Sequence, residues 1–356
     1  GYGTQKKSDI TGSIAVVSQK DLANRPNASA VSSLQGKVAG VSIVNSGSPG
    51  GQPKVTVRGI GSISGGDVLY VVDGVITNDI SYLNPNDIDK MSILKDASSS
   101  AIYGIRAANG VIVITTKLGK KGVAENIKFS YDSNVGFQTP TNVPKFANAS
   151  DYVQLYNEKL QFEGNTDPSK VLTLGQFNGV DTNWMDQILR KTSLINSHNL
   201  GISGASEKAR YSMGIGYFTQ DGITDAGKGV SSGEDYKRIT ARFNTSYDIS
   251  DRFRVGGSLA YSKSDSNDIN APFQTARITP PVVPVYNADG SYGKVPAGSG
   301  LGTAGDNNAR MMLDLYRGKT DITRTLLGGY AEYDILKDLT YKVNISRDFE
   351  TSSAYI

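Results

Sequence analysis

The chain of 356 residues contains no cysteine. That removes disulfides, thiolate metal sites and cysteine nucleophiles together. A single histidine, His198, is too few for a His-rich metal site or a paired acid–base set. It falls in the alternating run His198–Ser203 and reads as a polar strand position. Net charge is only +3, and no Lys/Arg run is long enough to track a phosphate backbone, so nucleic acid is not an expected partner. The local cluster Lys117, Lys120 and Lys121 reads as a solvated turn. No stretch approaches the ~18 apolar residues of a membrane-spanning helix. The longest apolar blocks, Val68–Val72 and Val111–Ile114, are strand-sized. A helical membrane protein is excluded, but a barrel is not, because barrel strands alternate and hardly register on hydropathy. The chain opens Gly-Tyr-Gly without Met or a signal peptide and reads as a processed or truncated product.

What is abundant points further. There are 40 Gly and 19 Tyr, against 10 Phe and one Trp. Glycine suits tight turns and crowded barrel interiors. Tyrosine suits interfacial girdles, where an apolar ring meets a polar end.

The pattern changes near residue 122, giving two expected domains, 1–122 and 123–356. In the first, Val55–Arg58 is a short strand closed by Gly59. Gly61–Asp67 is a Gly/Ser loop. Val68–Asp73 is an apolar strand that turns at Asp73-Gly74, the dipeptide that supplies positive φ at low cost. Asn84-Pro85-Asn86-Asp87 starts a short helix with a polar cap. Met91–Leu94 is a strand, Asp96 caps a helix that stops at Gly104, and Asn109-Gly110 turns into Val111–Thr116. The expected fold of this part is a compact α+β module.

In the second part the period is two. Phe129, Tyr131, Val135 and Phe137 alternate with polar residues. So do Tyr211, Met213, Ile215 and Tyr217; Ile239, Ala241, Phe243 and Tyr247; Phe253, Val255, Leu259 and Tyr261; Leu327, Ala331, Tyr333 and Ile335; and Tyr341, Val343 and Ile345. Each run is about 10–12 residues, the length of a tilted strand crossing a bilayer. Arg238, Arg242, Arg252 and Arg254 fall on the opposite face, which a wet lumen tolerates and lipid does not. Connections alternate too. Gly204–Glu207, Ser250-Asp251 and Lys337-Asp338 are tight, whereas Phe137–Thr192, Thr219–Tyr236 and Ser264–Asp321 are long. Short periplasmic turns and long external loops mark an antiparallel transmembrane β-barrel. The first long loop also carries a helical pattern near Tyr152–Leu160, and Trp184.

Apparent catalytic patterns dissolve on inspection. Gly59-Ile60-Gly61 lacks the third glycine and the long helix of a dinucleotide loop. Asp87 and Asp89 stand at a helix start, where capping explains them. Ser98-Ser99-Ser100 is a helix face with no histidine near. No acid, base, metal or cofactor set emerges, so an enzyme is not expected.

The order of motifs resembles a known family. VRGIGSI, LYVVDG, LNPNDI, LKDASSSAIYG and ANGVIVITTK, spanning Val55–Lys117, look like the plug of a SusC-type TonB-dependent outer-membrane transporter. LQGKVAGVSIVNSGSPGG and NWMDQILRKTSLINSHNLGISGASEKARYSMGIGYFTQDGI resemble the same branch. Such transporters close with 22 strands. About seven follow here, so the chain reads as the plug and about a third of a barrel. The resemblance places the TonB box just upstream of Gly1. It implies TonB-dependent import of a glycan or an oligopeptide, driven through TonB with ExbB and ExbD. It also implies a SusD-like surface lipoprotein and allows a pair of transporter–lid units. Candidate solute contacts are Ser62, Asp67, Tyr82 and Trp184, the two rings stacking on sugars or else packing their loops. Candidate plug–lumen contacts pair Arg238, Arg242, Arg252 or Arg254 with Asp87, Asp89 or Asp96. A signalling receptor of the same fold and a soluble β-rich binding module are the competing readings.

Overall fold

Asp73 and Gly74 both take positive φ, 49° and 92°, and this pair closes the tightest hairpin of the N-terminal unit. Such a turn matches the right-handed twist of the strands it joins. The structure is a computed structural model of the chain. It describes residues 14–19, 27–57, 59, 67–96, 100–119, 127–227, 233–268, 272–295, 301, 308–315 and 318–355. The domain boundary expected at residue 122 and the loop residue Ser62 lie outside the described residues.

The N-terminal unit holds strands β1 (Ile14–Ser18), β2 (Val41–Val44), β3 (Lys54–Val57), β4 (Leu69–Val72), β5 (Val75–Thr77), β6 (Ile88–Leu94) and β7 (Val111–Thr116). Five form one sheet in the order β1-β6-β7-β4-β5, with β4 and β7 parallel and the other neighbours antiparallel. The strands β2 and β3 pair separately. β4 and β7 are short, apolar runs because both their faces are covered. Ile88, Met91, Ile93, Ile112 and Ile114 are fully buried on one side, and Leu69, Val71 and Val111 on the other. The Asp73 carboxylate accepts the Thr116 backbone N–H at 2.9 Å and also the Thr116 hydroxyl, which locks the hairpin to β7. Around Asp96 and Gly104 the helical segments are two single 3₁₀ turns, Ala101–Tyr103 and Ile105–Ala107.

The second unit is one antiparallel sheet in sequence order: β8 (Lys128–Gln138), β9 (Ser193–Ala205), β10 (Ala209–Asp221), β11 (Asp235–Asp248), β12 (Phe253–Asp268), β13 (Gly318–Leu336) and β14 (Leu339–Tyr355). These strands reach 11 to 19 residues, longer than the alternation alone suggested. The extra length is polar, as in Ser262–Asp268 and Gly318–Thr325, so it carries no apolar period to read. Strict alternation sorts the sheet into two faces. Phe129, Ile215, Phe243, Leu327 and Ile345 are exposed on one. Ser212, Arg238, Thr240, Arg242, Asn244 and Arg324 are buried on the other, against the N-terminal unit. Leu326, on this inner face of β13, is 6% exposed and belongs to the same apolar core as Ile88 and Ile112, with Ala260 of β12 packed beside it. No helix among the described residues is long and apolar enough to cross a membrane.

The connections on one end are tight, and those on the other fold into a structured module. Helix α1 (Ala149–Phe162) packs Val153 with Phe177 and Val282. Helices α2 (Trp184–Ile188), α3 (Phe273–Ile278) and α4 (Ala309–Leu315) share a core of Trp184, Met185, Ile188, Ala276, Val283 and Leu313. The Trp184 indole donates to the Pro280 carbonyl at 3.1 Å. Asp314 accepts the hydroxyls of Tyr286 and Tyr292 at 3.0 and 2.9 Å and pairs with Arg310 at 3.2 Å. Arg310 in turn reaches Asp225 at 2.8 Å, tying two long loops together.

Trp184 is 3% exposed, so its ring has no face left for a solute. Of the two readings open from the sequence, stacking on sugar or packing its loop, this burial fits the second, with Trp184 at the centre of the loop core. Trp184→Ala is expected to cost the loop module about 3–5 kcal/mol, because a large cavity opens where a buried hydrogen bond also ended. Limited proteolysis should then cut within residues 139–192 and 269–317 while the N-terminal unit stays protected. Unchanged loop protection would contradict this packing role.

Candidate functional site

The chemistry of the chain concentrates where the inner face of the sheet meets the N-terminal unit. Three arginines organise that contact. Arg242 of β11 donates through Nη1 to the Thr116 hydroxyl at 3.0 Å and to the Lys117 carbonyl at 3.3 Å. Its Nη2 also reaches the Lys117 carbonyl at 3.3 Å and the Ser212 hydroxyl at 3.4 Å. Its Nε lies 3.4 Å from the Asp87 carboxylate, a charge contact without hydrogen-bond alignment. Asn244 adds a 2.6 Å bond to the Thr116 hydroxyl. Arg238 turns instead to main chain, donating to the carbonyls of Ala28 at 2.8 Å and Ser81 at 2.5 Å. Arg324 of β13 donates to the Asp79 carboxylate at 2.7 Å and the Thr77 hydroxyl at 3.1 Å, while Asp348 on the neighbouring strand holds it at 3.0 Å. Its guanidinium lies 4.8 Å from the centre of the Tyr82 ring.

Two glycines let the units touch. The Asn84 amide donates to Asn199 at 2.6 Å and to Thr240 at 3.4 Å, across the backbone of Gly216. A Cβ on Gly216 would stand 2.1 Å from that amide. A Cβ on Gly214 would stand 2.3 Å from Asp87 Oδ1. Asn84 also caps its own 3₁₀ turn by accepting the Asn86 N–H at 3.0 Å, so one side chain serves both the local turn and the contact. The interface is not packed like a core. A polar cavity of about 40 Å³ borders Asp87, Lys117, Asp132 and Arg242, and a second, mainly apolar cavity of about 160 Å³ borders Val75, Thr116, Asn244 and Tyr330.

Of the expected pairs, the structure brings together Arg242 and Asp87. Arg238 meets carbonyls rather than a carboxylate. Arg254 is spent within the sheet, on Asp248 at 2.6 Å and Glu332 at 3.0 Å. Arg252 sits exposed in the turn before β12, where its backbone N–H meets the Ser250 hydroxyl at 3.3 Å. Asp89 is exposed on β6, and the Asp96 carbonyl accepts the Ser100 N–H at 3.0 Å. Asp67 is exposed beside β4. Tyr82 is 4% exposed and packed under Arg324, which fits the packed-ring reading rather than the sugar platform. Arg324 itself escaped sequence reasoning, although it holds the same parity on β13 as the inner-face Leu326.

Burial raises the pKa of the Asp87 carboxyl, and Arg242 and Lys117 only partly pull it back. Burial likewise lowers that of Lys117, with Asp87 opposing. The sign of the linkage follows. A carboxyl whose value is raised on docking favours docking most below its ordinary 3.8 and loses that contribution as pH rises through the elevated value. Through Asp87, docking of the N-terminal unit should therefore strengthen as pH falls from neutral. The urea midpoint for release of the unit, followed against pH, should show this slope, and Asp87→Asn should flatten it. A slope that Asp87→Asn leaves intact would assign it elsewhere.

The Tyr82 hydroxyl is buried with no hydrogen-bond partner among the described residues. Tyr82→Phe is expected to be neutral or to stabilise by about 1 kcal/mol, since an unsatisfied group is removed and the ring under Arg324 stays. Tyr82→Ala should cost about 3–5 kcal/mol. The two urea midpoints decide it: a loss in Tyr82→Phe comparable to Tyr82→Ala would contradict the orphaned hydroxyl.

Comparison with known proteins fits this geometry. Residues 6–111 match the family model of the TonB-dependent Receptor Plug Domain. TonB-dependent receptor P26 of Formosa agariphila is 35% identical over 302 residues, covering 82% of this chain and 29% of that protein. TonB-dependent receptor SusC of Bacteroides thetaiotaomicron is 32% identical over 306 residues, again 82% of this chain and 29% of that protein. The chain thus spans less than a third of the length of these relatives. The structure of the RagAB peptide importer in its open-open state superposes with a TM-score of 0.80 at 26% identity, covering 99% of this chain and 42% of that one. A plug-type unit docked by polar contacts on the inner face of a long-stranded antiparallel sheet, with relatives of this kind, places the chain in the SusC-type family of TonB-dependent receptors of the outer membrane.

Proposed function

We propose that the protein imports a large solute, an oligosaccharide or oligopeptide, across the outer membrane, with residues 14–119 acting as a plug that TonB displaces. The observation that carries this reading is the chemistry of the plug–wall contact. Arg238, Arg242 and Asn244 hold plug carbonyls and hydroxyls, all of which water can satisfy when the contact opens. Cavities already border it. A wholly apolar interface would resist displacement; one held mainly by polar contacts, the Leu326 contact apart, exchanges most of its partners with water at little net cost. The outer membrane has no nucleotide supply, so the work comes from the inner-membrane proton gradient through TonB with ExbB and ExbD. TonB engages a box upstream of Gly1.

Capture from outside falls to a SusD-like surface lipoprotein over the long loops, and two such transporter–lid units associate. Of the similar proteins, the RagAB peptide importer is named for a peptide cargo. Asp67, exposed beside β4, is the solute contact we retain as a candidate, whereas Tyr82 and Trp184 are buried. The test uses the native strain with and without the locus, supplied with labelled oligosaccharides or labelled oligopeptides, in the presence and absence of TonB. Uptake of one class that needs both the locus and TonB is the expected result. Uptake indifferent to either would overturn the reading.

A further inference from the structure

Beyond the external ends of β8 and β10, apart from the plug contact, the loops enclose a cavity of about 500 Å³. That lies within the ~300–1,000 Å³ of ordinary ligand pockets. Two pieces of chain build it. Segment 139–146, between β8 and α1, forms one wall. Pro140 and Pro144 fix their own φ angles, and Asn142 takes a positive φ of 55°, so the segment curves without a helix or strand of its own. The Gln138 amide ties its start to the Asp221 carbonyl at 2.9 Å. The other wall is the loop core. Met185 belongs to the cluster around Trp184, and Leu189 forms an antiparallel bridge with Thr224. Two backbone bonds flank that bridge, from the Arg190 N–H to the Ile223 carbonyl and from the Asp225 N–H to the Ile188 carbonyl, both at 2.8 Å. This wall is set before any ligand arrives, which leaves little ordering entropy to lose on binding.

Helix α3 supplies the chemistry. Thr275 and Ala276 are buried, so its opposite half, with Phe273, Gln274 and Arg277, is exposed. Phe273 and Arg277 are four residues apart and share a face. Both border the cavity, together with Gln274. Phe146, 45% exposed, borders it from the other wall. Arg277 meets no carboxylate among the described residues.

This lining disfavours one class of solute and fits another. An oligosaccharide presents hydroxyls all round its rings. Each hydroxyl set against Met185, Leu189 or Phe273 would lose a water without gaining a partner. An apolar amino-acid side chain meets the same groups favourably. The amides of Asn142 and Gln274, which also border the cavity, match main-chain N–H and C=O groups. The Arg277 guanidinium calls for a carboxylate. An apolar side chain, a peptide group and a carboxylate stand side by side at the last residue of a peptide. Resting on the import reading above, we propose that this cavity holds the apolar C-terminal end of an oligopeptide solute, with Arg277 on its carboxylate. A fatty acid would satisfy Arg277 and the apolar walls but leave both amides facing methylenes.

The test measures binding to the full-length transporter in lipid nanodiscs, without TonB, by fluorescence anisotropy. The probes are an N-terminally labelled tetrapeptide ending in leucine, the same peptide as its C-terminal amide, and the same peptide ending in aspartate. The free-acid leucine peptide should bind, and the other two should bind roughly tenfold more weakly. Arg277→Gln, at an exposed position, should bind the acid and amide forms alike. Val143→Trp, which fills the cavity from its exposed rim, should weaken the leucine peptide roughly tenfold. Heat-modifiable gel migration reports whether each barrel is folded, and Arg277→Gln alone decides the matter should Val143→Trp not fold. Four results would each overturn the site: equal binding of acid and amide by the wild type, an acid preference that survives Arg277→Gln, tighter displacement by decanoate or a neutral oligosaccharide than by unlabelled peptide, or no peptide binding. Because TonB is absent, the two readings fail separately. Uptake indifferent to TonB would remove the import reading and leave the binding result standing.

Discussion

Arg242→Ala should unseat the plug more than any other single truncation in the interface. Arg242 is 5% exposed and Asp87 is 8% exposed, so the change leaves a buried carboxylate without its nearest cation. Removing one member of a buried ion pair costs about 3–5 kcal/mol, most of it from the charge left behind. Here the loss extends further, because the same guanidinium also holds the Thr116 hydroxyl and the Lys117 carbonyl. Asp87→Asn should be milder, since Arg242 keeps those other acceptors and no stranded charge results. In cells, the alanine variant should admit a large antibiotic that the closed outer membrane excludes, while Asp87→Asn stays near wild type. Combining Arg242→Ala with Asp87→Asn should recover part of the loss. A double variant as leaky as the sum of the single changes would show that the pair is not coupled.

Gly216→Leu should displace the plug by a different route. The added side chain would occupy the place of the Asn84 amide, which stands 2.1 Å from the new Cβ, with Thr240 Oγ1 at 2.7 Å and Asn199 Oδ1 at 3.0 Å. Alanine would be absorbed by small shifts of these side-chain ends. Leucine cannot be, because its branches extend further into the plug. Overpacking of this kind costs about 1–3 kcal/mol. The Asn84 bonds to Asn199 and Thr240 are lost as well, each worth about 1 kcal/mol. The barrel should still fold, with unchanged heat-modifiable migration, since Gly216 is an ordinary strand position in β10. The expected signature is a leaky membrane from a folded barrel. A tight membrane would show that the wall, rather than the plug, gives way.

The strands and their faces were legible because lipid and lumen impose opposite demands on alternate residues. Phe243 beside Arg242 states that contrast in two adjacent letters. The partners of the inner face were not legible to the same degree. Arg238 binds the carbonyls of Ala28 and Ser81, and every residue has a carbonyl, so nothing in the sequence marks those two. Arg254 obeys the lumen parity yet finds Glu332 across the strand gap before any plug residue, a competition decided by register. Arg324 was missed because the apolar period of β13 begins only at Leu327. Tyr82 and Trp184 were read from residue type, and aromatic rings serve cores as readily as they serve sugars; burial alone separates the two uses.

Leu326 gives the plug a debt to the wall that concerns how the molecule is made. It is a barrel residue that completes a core otherwise built from Val17 to Ile114, more than two hundred positions earlier. Contacts so distant along the chain close late, because the intervening loop must first be ordered. The plug therefore has to wait, its β4–β7 sheet formed but one apolar flank open, until β12 and β13 arrive to cover it. During that interval an exposed core face invites aggregation. Chaperone protection in the periplasm would be needed most before β13 is in place, and substitutions at Leu326 should lower the yield of inserted protein before they alter anything the finished protein does.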